Sequence, residues 1–244
     1  MKVIAQQFKD PKSGMLLLLA VLAALGIAGA RQWQANSQIL AVSLAAALLA
    51  EWAFFGAVRR SSLMSAAVSG SIVGMLAAPG ADPLFAWSAS VMAIASKKLL
   101  LFDGRTHIFN PAAFGLLAAL FIFGNQINWW GSSSQVLIII GAGIILYRMR
   151  RLPLPLAYFA ARALSAALVG GAGFTRSALL MPNLFFAFIM LVEPKTSPGK
   201  RGAQLIFGAG CGILATAFYR YLPAYEGDLA ALLIFNLLRG LLPF

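Results

Sequence analysis

The chain has 244 residues, of which 61% are hydrophobic and only 11% are charged. Soluble domains carry roughly 25% charged residues, so this composition excludes a water-soluble globular protein. It predicts an all-α integral membrane protein whose whole length, 1–244, forms a single membrane domain. The single cysteine excludes an internal disulfide, and the single histidine, His107, excludes a haem held by two histidines. We also expect no metal cluster and no hydrolytic catalytic set.

Ten hydrophobic segments follow one another along the chain, and most approach the length that crosses roughly 30 Å of hydrocarbon. They lie near 14–30, 38–57, 61–79, 83–101, 107–125, 135–147, 153–170, 177–192, 203–219 and 228–243. This spacing predicts about ten transmembrane helices, divided into approximate halves 1–128 and 129–244.

The net charge of +12 is distributed unevenly among the loops that join these segments. If all ten segments cross, fifteen of the 19 Lys and Arg residues face the side that holds the N-terminus. The opposite side receives only Arg31, Arg176 and Arg220, while Arg162 falls inside the seventh segment. Short cytoplasmic loops carry an excess of Lys and Arg, so both ends of the chain are predicted to be cytoplasmic. Topology therefore explains the basic charge, and nucleic acid is not expected as a partner.

Two ionisable residues are predicted to lie deep in the membrane, Glu51 in the second segment and Arg162 in the seventh. At 1.5 Å per residue, each sits roughly 12–15 Å from the cytoplasmic end of its helix. A lone charge at such depth is costly, so we expect Glu51 and Arg162 to form an ion pair. The alternative interpretation is a polar lining beside a ligand or an ion path.

Three breaks between the segments combine proline with polar residues, at 79–83, 103–111 and 193–202. Asn110 and Pro111 are a pair that caps and starts a helix. Within the third break, 194–202 is predicted to be a rigid basic loop beside the membrane. Broken helices of this kind are typical of ligand sites in membrane bundles. Short internal matches, 108–117 with 206–214 and 65–70 with 165–170, indicate a faint parallel repeat shifted by four segments.

Three stretches resemble signatures of one family of membrane proteins. Stretch 97–115 (KKLLLFDGRTHIFNPAAFG) resembles a motif of the membrane D subunit of the Rnf electron transport complex and of the related B subunit of the sodium-translocating NADH:quinone reductase. Stretch 186–202 (FAFIMLVEPKTSPGKRG) is similar to a second signature, with Glu193 where the family has aspartate. Stretch 225–236 (YEGDLAALLIFN) resembles the closing signature, and the three come in the family's order.

The resemblance implies a bundle of ten helices in two inverted five-helix halves, like that of urea channels, and a flavin-bearing electron carrier. In the family, flavin mononucleotide (FMN) is joined by a phosphoester to a threonine of a Ser-Gly-Ala-Thr type motif on the outer side. The matching interval, 170–177 (GGAGFTRS), offers Thr175 on the predicted outer side. Because the Ser-Gly-Ala residues and the preceding acid are missing, we expect FMN or riboflavin to be bound non-covalently rather than esterified to Thr175.

On this resemblance, the predicted function is that of a flavin-binding electron-transfer subunit of a larger redox complex in the bacterial cytoplasmic (inner) membrane. Its expected partners are other membrane subunits and lipid. The predicted cofactor-binding residues are Thr175, Phe185, Phe186, Phe188, His107, Asn110, Pro111, Glu193, Lys195 and Thr196. The three phenylalanines are expected to form an apolar wall for the flavin ring. Two alternatives stay open: a channel or carrier for a small solute such as a flavin, and a scaffold subunit without a cofactor.

Overall fold

The computed structural model describes residues 11–56, 59–102, 104, 106–169, 173–176, 183–223 and 225–241, and most of these residues are helical. The helices are α1 (Pro11–Ala28), α2 (Trp33–Phe55), α3 (Arg60–Leu76), α4 (Pro83–Leu99), α5 (Pro111–Phe123), α6 (Gln135–Arg148), α7 (Pro153–Val169), α8 (Arg201–Tyr221) and α9 (Gly227–Leu241). A π-helical turn, Phe186–Met190, precedes α8, and a second one, Ile138–Ala142, lies within α6.

Helical residues fall inside every hydrophobic segment that the sequence predicts. Within the described ranges, three helices are both long and apolar enough to cross a bilayer by themselves: α1, α2 and α8. The others are shorter; α5 has 13 residues, or about 20 Å at 1.5 Å per residue. The described chain is therefore a mostly helical bundle of membrane type, with helices of unequal length.

Contacts between loops sort the helix ends into two groups. At one end, which we call the inner end, His107 lies beside Glu193 and Arg151 donates to Ser197. At the other, the outer end, the backbone N–H of Asp82 donates to Gln126 at 2.7 Å and Trp129 donates to Glu226 at 3.1 Å. If 184–192 is counted as the segment between α7 and α8, each segment consequently runs in the opposite direction to the segment before it.

The packing of the helices repeats with a shift of five segments, counting 184–192 as the eighth. Helix α2 packs against α4 and α4 against α5, just as α7 packs against α8 and α8 against α9. Because successive segments alternate in direction, a shift by an odd number of segments relates one half to an inverted copy of the other. The packing therefore favours an inverted repeat over the parallel one that the short internal matches indicate.

Two helices begin with the same device at opposite ends of the bundle. Asp82 accepts a hydrogen bond from the N–H of Leu84 at 2.9 Å before Pro83 opens α4. Asn110 accepts from the N–H of Ala113 at 3.0 Å before Pro111 opens α5. A side-chain acceptor supplies a partner for a free N–H of the first turn, and proline there loses no hydrogen bond. The predicted helix start at 110–111 is confirmed.

A short antiparallel hairpin leads into α5, which the sequence analysis did not predict. Strand β1 (Leu101–Phe102) pairs with β2 (Thr106–His107), and Leu101 lies opposite His107. The backbone N–H of Ile108 then donates to the carbonyl of Leu100 at 2.9 Å. The hairpin carries His107 back towards the bundle, where 95% of the residue's surface is covered.

Candidate functional site at the inner end

The loop 193–200, between the π-helical turn Phe186–Met190 and α8, meets both halves of the chain at the inner end. Asn110, at the start of α5, donates from its side chain to the carbonyl of Met190 at 3.1 Å. The backbone N–H of Asn110 donates to Oδ1 of Asn236, in α9, at 2.7 Å. Asn236 in turn donates to the carbonyl of Thr196 at 2.9 Å. We call this set, together with His107 and Glu193, the inner junction.

The inner junction is buried except for the partly exposed Glu193, and the polar contacts that it makes hold the loop in one conformation. Thr196 and Asn236 have no exposed surface, and Asn110 is 3% exposed. A buried polar group without a partner costs about 1–3 kcal/mol, so these reciprocal amide contacts make the loop position specific. Two signatures that are far apart in sequence, around Asn110 and around Asn236, therefore act on the same loop.

Glu193 is the charged residue of the inner junction, and two side chains contact it. Nε2 of His107 lies 3.3 Å from Oε1 of Glu193, and the hydroxyl of Thr196 donates to Oε2 at 3.2 Å. The carbonyl of Glu193 also accepts from the backbone N–H of Ser197 at 3.0 Å. These contacts give the carboxylate a defined orientation beside the start of α5.

Basic residues surround the loop from the side of α7 and α9. Arg151 donates to the hydroxyl of Ser197 and, at 3.4 Å, to the carbonyl of Pro194, while Arg239 donates to the carbonyl of Lys195. Burial lowers the pKa of Arg151 from its ordinary value, and the charge of Arg239 acts in the same direction. Glu193 opposes both effects. The loop is thus a region of positive charge with one carboxylate at its centre.

A cavity of about 270 Å³ lies directly beside the inner junction, between the two halves. Four predicted cofactor-binding residues line it: Asn110, Pro111, Glu193 and Lys195. Apolar walls come from α1, α3 and α6, and two serines of α3, Ser65 and Ser69, add hydroxyl groups. An apolar cleft with a few convergent polar groups is the usual form of a small-molecule site, so this cavity is the candidate functional site.

Comparison with families of known proteins places the loop signatures in a common context. Residues 129–243 match the NQR2, RnfD, RnfE family. Over these residues, which are just under half of its length, the chain belongs to that family. The match includes the second and third signatures, 186–202 and 225–236, while the stretch around His107 and Asn110 precedes it. Among curated proteins, none matches the chain.

The family match and the fold together confirm the coarse part of the sequence interpretation. The chain is a membrane protein of the Rnf and Nqr type, and members of the NQR2, RnfD, RnfE family are membrane proteins of multi-subunit redox complexes. Six of the predicted site residues, which are His107, Asn110, Pro111, Glu193, Lys195 and Thr196, meet at the inner end. The other four lie elsewhere in the bundle.

The three predicted aromatic residues sit in the π-helical segment and pack into the core. Phe185 and Phe186 have no exposed surface. The ring of Phe186 lies 5.3 Å from the ring of Tyr158, and the ring of Phe185 lies 6.4 Å from that of Trp129. Phe188 is partly buried against Phe159, with 6.3 Å between the ring centroids. These contacts are those of packed aromatic pairs.

Thr175 lies at the outer end, far from the inner junction. It belongs to the helical residues 173–176, and its hydroxyl donates to the carbonyl of Ala166 at 3.0 Å. The rest of the predicted flavin-attachment interval, residues 170–172 and 177, lies outside the described residues. Helix α7 separates this threonine from the inner end by its 17 residues, or about 25 Å.

A second polar cluster, which we call the outer cluster, surrounds Arg162 in the middle of α7. Arg162 forms an ion pair with Asp228, in the first turn of α9, with 2.6 Å between Nη1 and Oδ1. Asn183, Tyr158 and Tyr219 donate hydrogen bonds to the same carboxylate, at 2.9, 2.5 and 3.1 Å. Asp228 is fully buried. The sequence analysis included Asp228 only as part of the closing signature, 225–236. A deep arginine in the same half is the signal that an acid must lie near.

The predicted ion pair between Glu51 and Arg162 is wrong. Arg162 is paired with Asp228, whereas Oε2 of the buried Glu51 has no hydrogen-bond partner. The reason is the division into halves: α2 packs against α3 and α4, and α7 packs against α8. Glu51 and Arg162 occupy corresponding helices of the two halves rather than facing surfaces.

Proposed function

We propose that this chain is a flavin-binding electron-transfer subunit of a larger membrane redox complex. Its membership of the NQR2, RnfD, RnfE family supports a redox role within the membrane. The observation that carries the proposal is the cavity of about 270 Å³ at the inner end. It lies where the motifs around Asn110 and Glu193, which are far apart in sequence, come together.

The cavity suits a flavin ring system better than a whole flavin nucleotide. Ligand sites for drug-sized molecules span about 300–1,000 Å³, so a cavity slightly below that range accepts the flat ring with its side chain outside. Met15, Met149 and Ile145 offer apolar, adaptable surface to the ring faces. Ser65 and Lys195 offer donors to the polar edge of the ring. Ser69, whose hydroxyl donates to the carbonyl of Ser65 at 3.1 Å, offers an acceptor.

The flavin at this site is proposed to be non-covalent, and the fold supplies a reason. Thr175 lies at the outer end, so one flavin cannot be esterified to it and also place its ring in the inner cavity. The hydroxyl of Thr175 also donates to the carbonyl of Ala166, and esterification would remove that proton. The packed rings of Phe185 and Phe186 then serve as core beside the site rather than as the wall of the flavin slot.

When bound, a flavin supplies one- and two-electron transfer, and the chain supplies its environment. Asn110 and Asn236 fix the loop that carries Glu193, and the apolar helices exclude water from the ring. Within the described residues, no group of His, Cys, Asp or Glu could hold a metal ion. Electrons are therefore proposed to reach this subunit from partner subunits, as in a D-type subunit of an Rnf-like complex.

The proposed topology has ten crossings in a bacterial cytoplasmic membrane, with both ends in the cytoplasm. It rests on the distribution of Lys and Arg residues and on the alternation of helix direction. Reporter fusions after Arg31, Asn125 and Tyr225 should all report the periplasmic side. A cytoplasmic report after Asn125 would contradict the order of crossings in the first half.

The flavin proposal is tested on protein purified in detergent from its native host. We expect flavin absorbance that co-purifies with the chain and is released by denaturation, including from Thr175→Ala. Val68→Phe, which fills the cavity, should remove the flavin, whereas Val136→Phe on the exposed surface of α6 should retain it. A fluorescent band in denaturing gels that disappears in Thr175→Ala would show covalent attachment instead. Protein without flavin would favour the channel, carrier or scaffold alternatives.

A further inference from the structure

A groove of about 410 Å³ runs along the surface of the bundle between α1 and α6. One face of each helix lines it, with residues three or four positions apart. These residues include Gly14, Leu17 and Val21 of α1 and Gly141, Ile144 and Arg148 of α6. Such spacing places side chains on the same side of a helix, so the groove follows the helix axes.

The groove is closed towards the core and open towards the surroundings of the bundle. At its floor the helices touch, because a Cβ atom added to Gly141 would lie 2.7 Å from Cδ1 of Leu18. At its rim Leu17, Val21 and Ile144 are 51%, 40% and 53% exposed. In a protein that spans a membrane, a rim of exposed aliphatic side chains faces lipid chains.

The groove has the length of one leaflet. Its lining on α1 extends from Pro11 to Val21, which is about 15 Å at 1.5 Å per residue. Half of a hydrocarbon core of roughly 30 Å has the same length. The groove begins at the inner end, where α1 starts and α6 finishes, and therefore lies in the cytoplasmic leaflet of the proposed topology.

Positive charge is confined to the inner end of the groove. Arg148 is part of its lining, and Lys12 lines the neighbouring cavity, which shares Pro11, Ile145 and Met149 with the groove. The rest of the groove lining is apolar. An occupant should therefore carry a negative charge at the level of the lipid headgroups and an aliphatic chain below it.

We propose that the groove between α1 and α6 binds an anionic phospholipid of the cytoplasmic leaflet. One acyl chain lies along Leu17, Val21 and Ile144, and the phosphate lies near Arg148 and Lys12. The exposed rim is aliphatic and fits an acyl chain, while the two glycines of the lining, Gly14 and Gly141, lie at the floor. Tight contact between membrane helices relies instead on small residues and interhelical hydrogen bonds. The proposal is independent of the flavin, because the groove opens to lipid and the flavin cavity lies between the halves.

The test is native mass spectrometry of the detergent-purified chain titrated with phosphatidylglycerol or with phosphatidylcholine of the same acyl chains. The wild-type chain should bind phosphatidylglycerol more tightly. A basic residue near the surface contributes about 1 kcal/mol to binding anionic lipid, so each of Lys12→Gln and Arg148→Gln should weaken binding about fivefold. Arg31→Gln, beyond the outer end of α1, should bind as the wild type does.

A second variant tests the acyl-chain part without changing charge. Ile144→Trp should block the groove and weaken phosphatidylglycerol binding, whereas Ile140→Trp, 58% exposed on the same helix and outside the groove lining, should not. Equal binding of the two lipids, or equal effects of Ile144→Trp and Ile140→Trp, would overturn the proposal. If the chain instead forms a dimer or binds another protein, and Ile144→Trp abolishes that association, the groove is a protein interface and the proposal is overturned.

Discussion

The starts of α5 and α9, at opposite ends of the bundle, each bury a polar side chain, and the two side chains have different kinds of hydrogen-bond partner. The two helices occupy corresponding places in the two halves, and each begins with a buried polar residue: Asn110 at the inner end and Asp228 at the outer end. The partners of Asn110 are amides and backbone carbonyls. Asp228 is surrounded by a guanidinium, an amide and two phenols.

The difference separates a region suited to a ligand from a region suited to fixing helices. Neutral amide contacts at the inner junction leave the charge of Glu193 and Lys195 beside a cavity. The outer cluster uses its charge internally, because the guanidinium of Arg162 also lies 4.9 Å from the ring centre of Tyr219. A buried charge whose hydrogen bonds are all made to its neighbours is hard to move. The outer cluster is therefore suited to holding helices in position rather than to binding a ligand.

The largest expected effect comes from separating the outer ion pair. Arg162→Leu or Asp228→Leu should lower the free energy of unfolding by about 3–5 kcal/mol, because each leaves one charge buried without its partner. Thermal unfolding in detergent measures the change. The double variant should be less destabilised than either single variant. If Arg162→Leu alone has no effect, the comparison between the two helix starts fails.

A smaller loss is expected from the inner junction. Asn236→Ala removes the acceptor for the N–H of Asn110 and the donor for the carbonyl of Thr196. An unpaired buried group costs about 1–3 kcal/mol, and neutral groups lie towards the lower end of that range, so the two together should cost roughly 2–3 kcal/mol. The flavin should be lost as well. Asn128→Ala, an exposed amide at the outer end, is the matched control. Full flavin retention by Asn236→Ala would show that flavin binding in the cavity does not depend on the inner junction.

Glu51 should behave differently from Asp228 although both are buried acids. The charge of Lys97 acts on Glu51, but Oε2 of Glu51 has no hydrogen-bond partner, so neutralising the residue removes a charge that is only partly compensated. We expect Glu51→Gln to leave stability unchanged or raise it by about 1 kcal/mol, while Asp228→Asn lowers it. Melting temperatures in detergent at one pH decide this. A comparable loss in both variants would indicate an ionic partner for Glu51.

The smallest effect is a pH dependence at the outer end. Burial raises the pKa of Glu226 above its ordinary value, and the hydrogen bond from Trp129 only partly opposes this. The folded state thus binds the proton of Glu226 more tightly than the unfolded state does, and protonation of Glu226 stabilises the fold. This contribution to the free energy of unfolding is complete below the unfolded-state pKa and is lost as the pH rises through the folded-state pKa. In Glu226→Gln, the free energy of unfolding should depend less on pH between the unfolded-state and folded-state pKa of Glu226. An unchanged profile would show that Glu226 does not titrate with folding.

Much of this architecture is predictable from local sequence. Hydrophobic runs locate the helices, since apolar length is what a bilayer selects. Asn110 and Pro111 give the start of α5, because capping depends only on neighbouring residues. Resemblance to family signatures places Glu193 and Thr196 among the site residues, and the structure joins them to His107.

The contacts that the sequence analysis missed are those between helices, because local sequence does not determine which helices face each other. Depth alone suggested that Arg162 pairs with Glu51, whereas its partner Asp228 is supplied by another helix of the same half. The aromatic residues of this segment suggested that Phe185 and Phe186 form an open wall for the flavin. Their rings instead pack against Trp129 and Tyr158 in the core. The cavity between the halves belongs to no single segment, so no local pattern indicates it.

The position of Asn236 in the chain has a consequence for biosynthesis. The inner junction joins α5, the loop 193–200 and α9, and α9 is the last of these to leave the ribosome. Until it is inserted, the N–H of Asn110 and the carbonyl of Thr196 lack the partners that they have in the finished fold. Assembly of the inner end is therefore a late event, and a nascent chain exposes these groups to quality control until α9 is inserted.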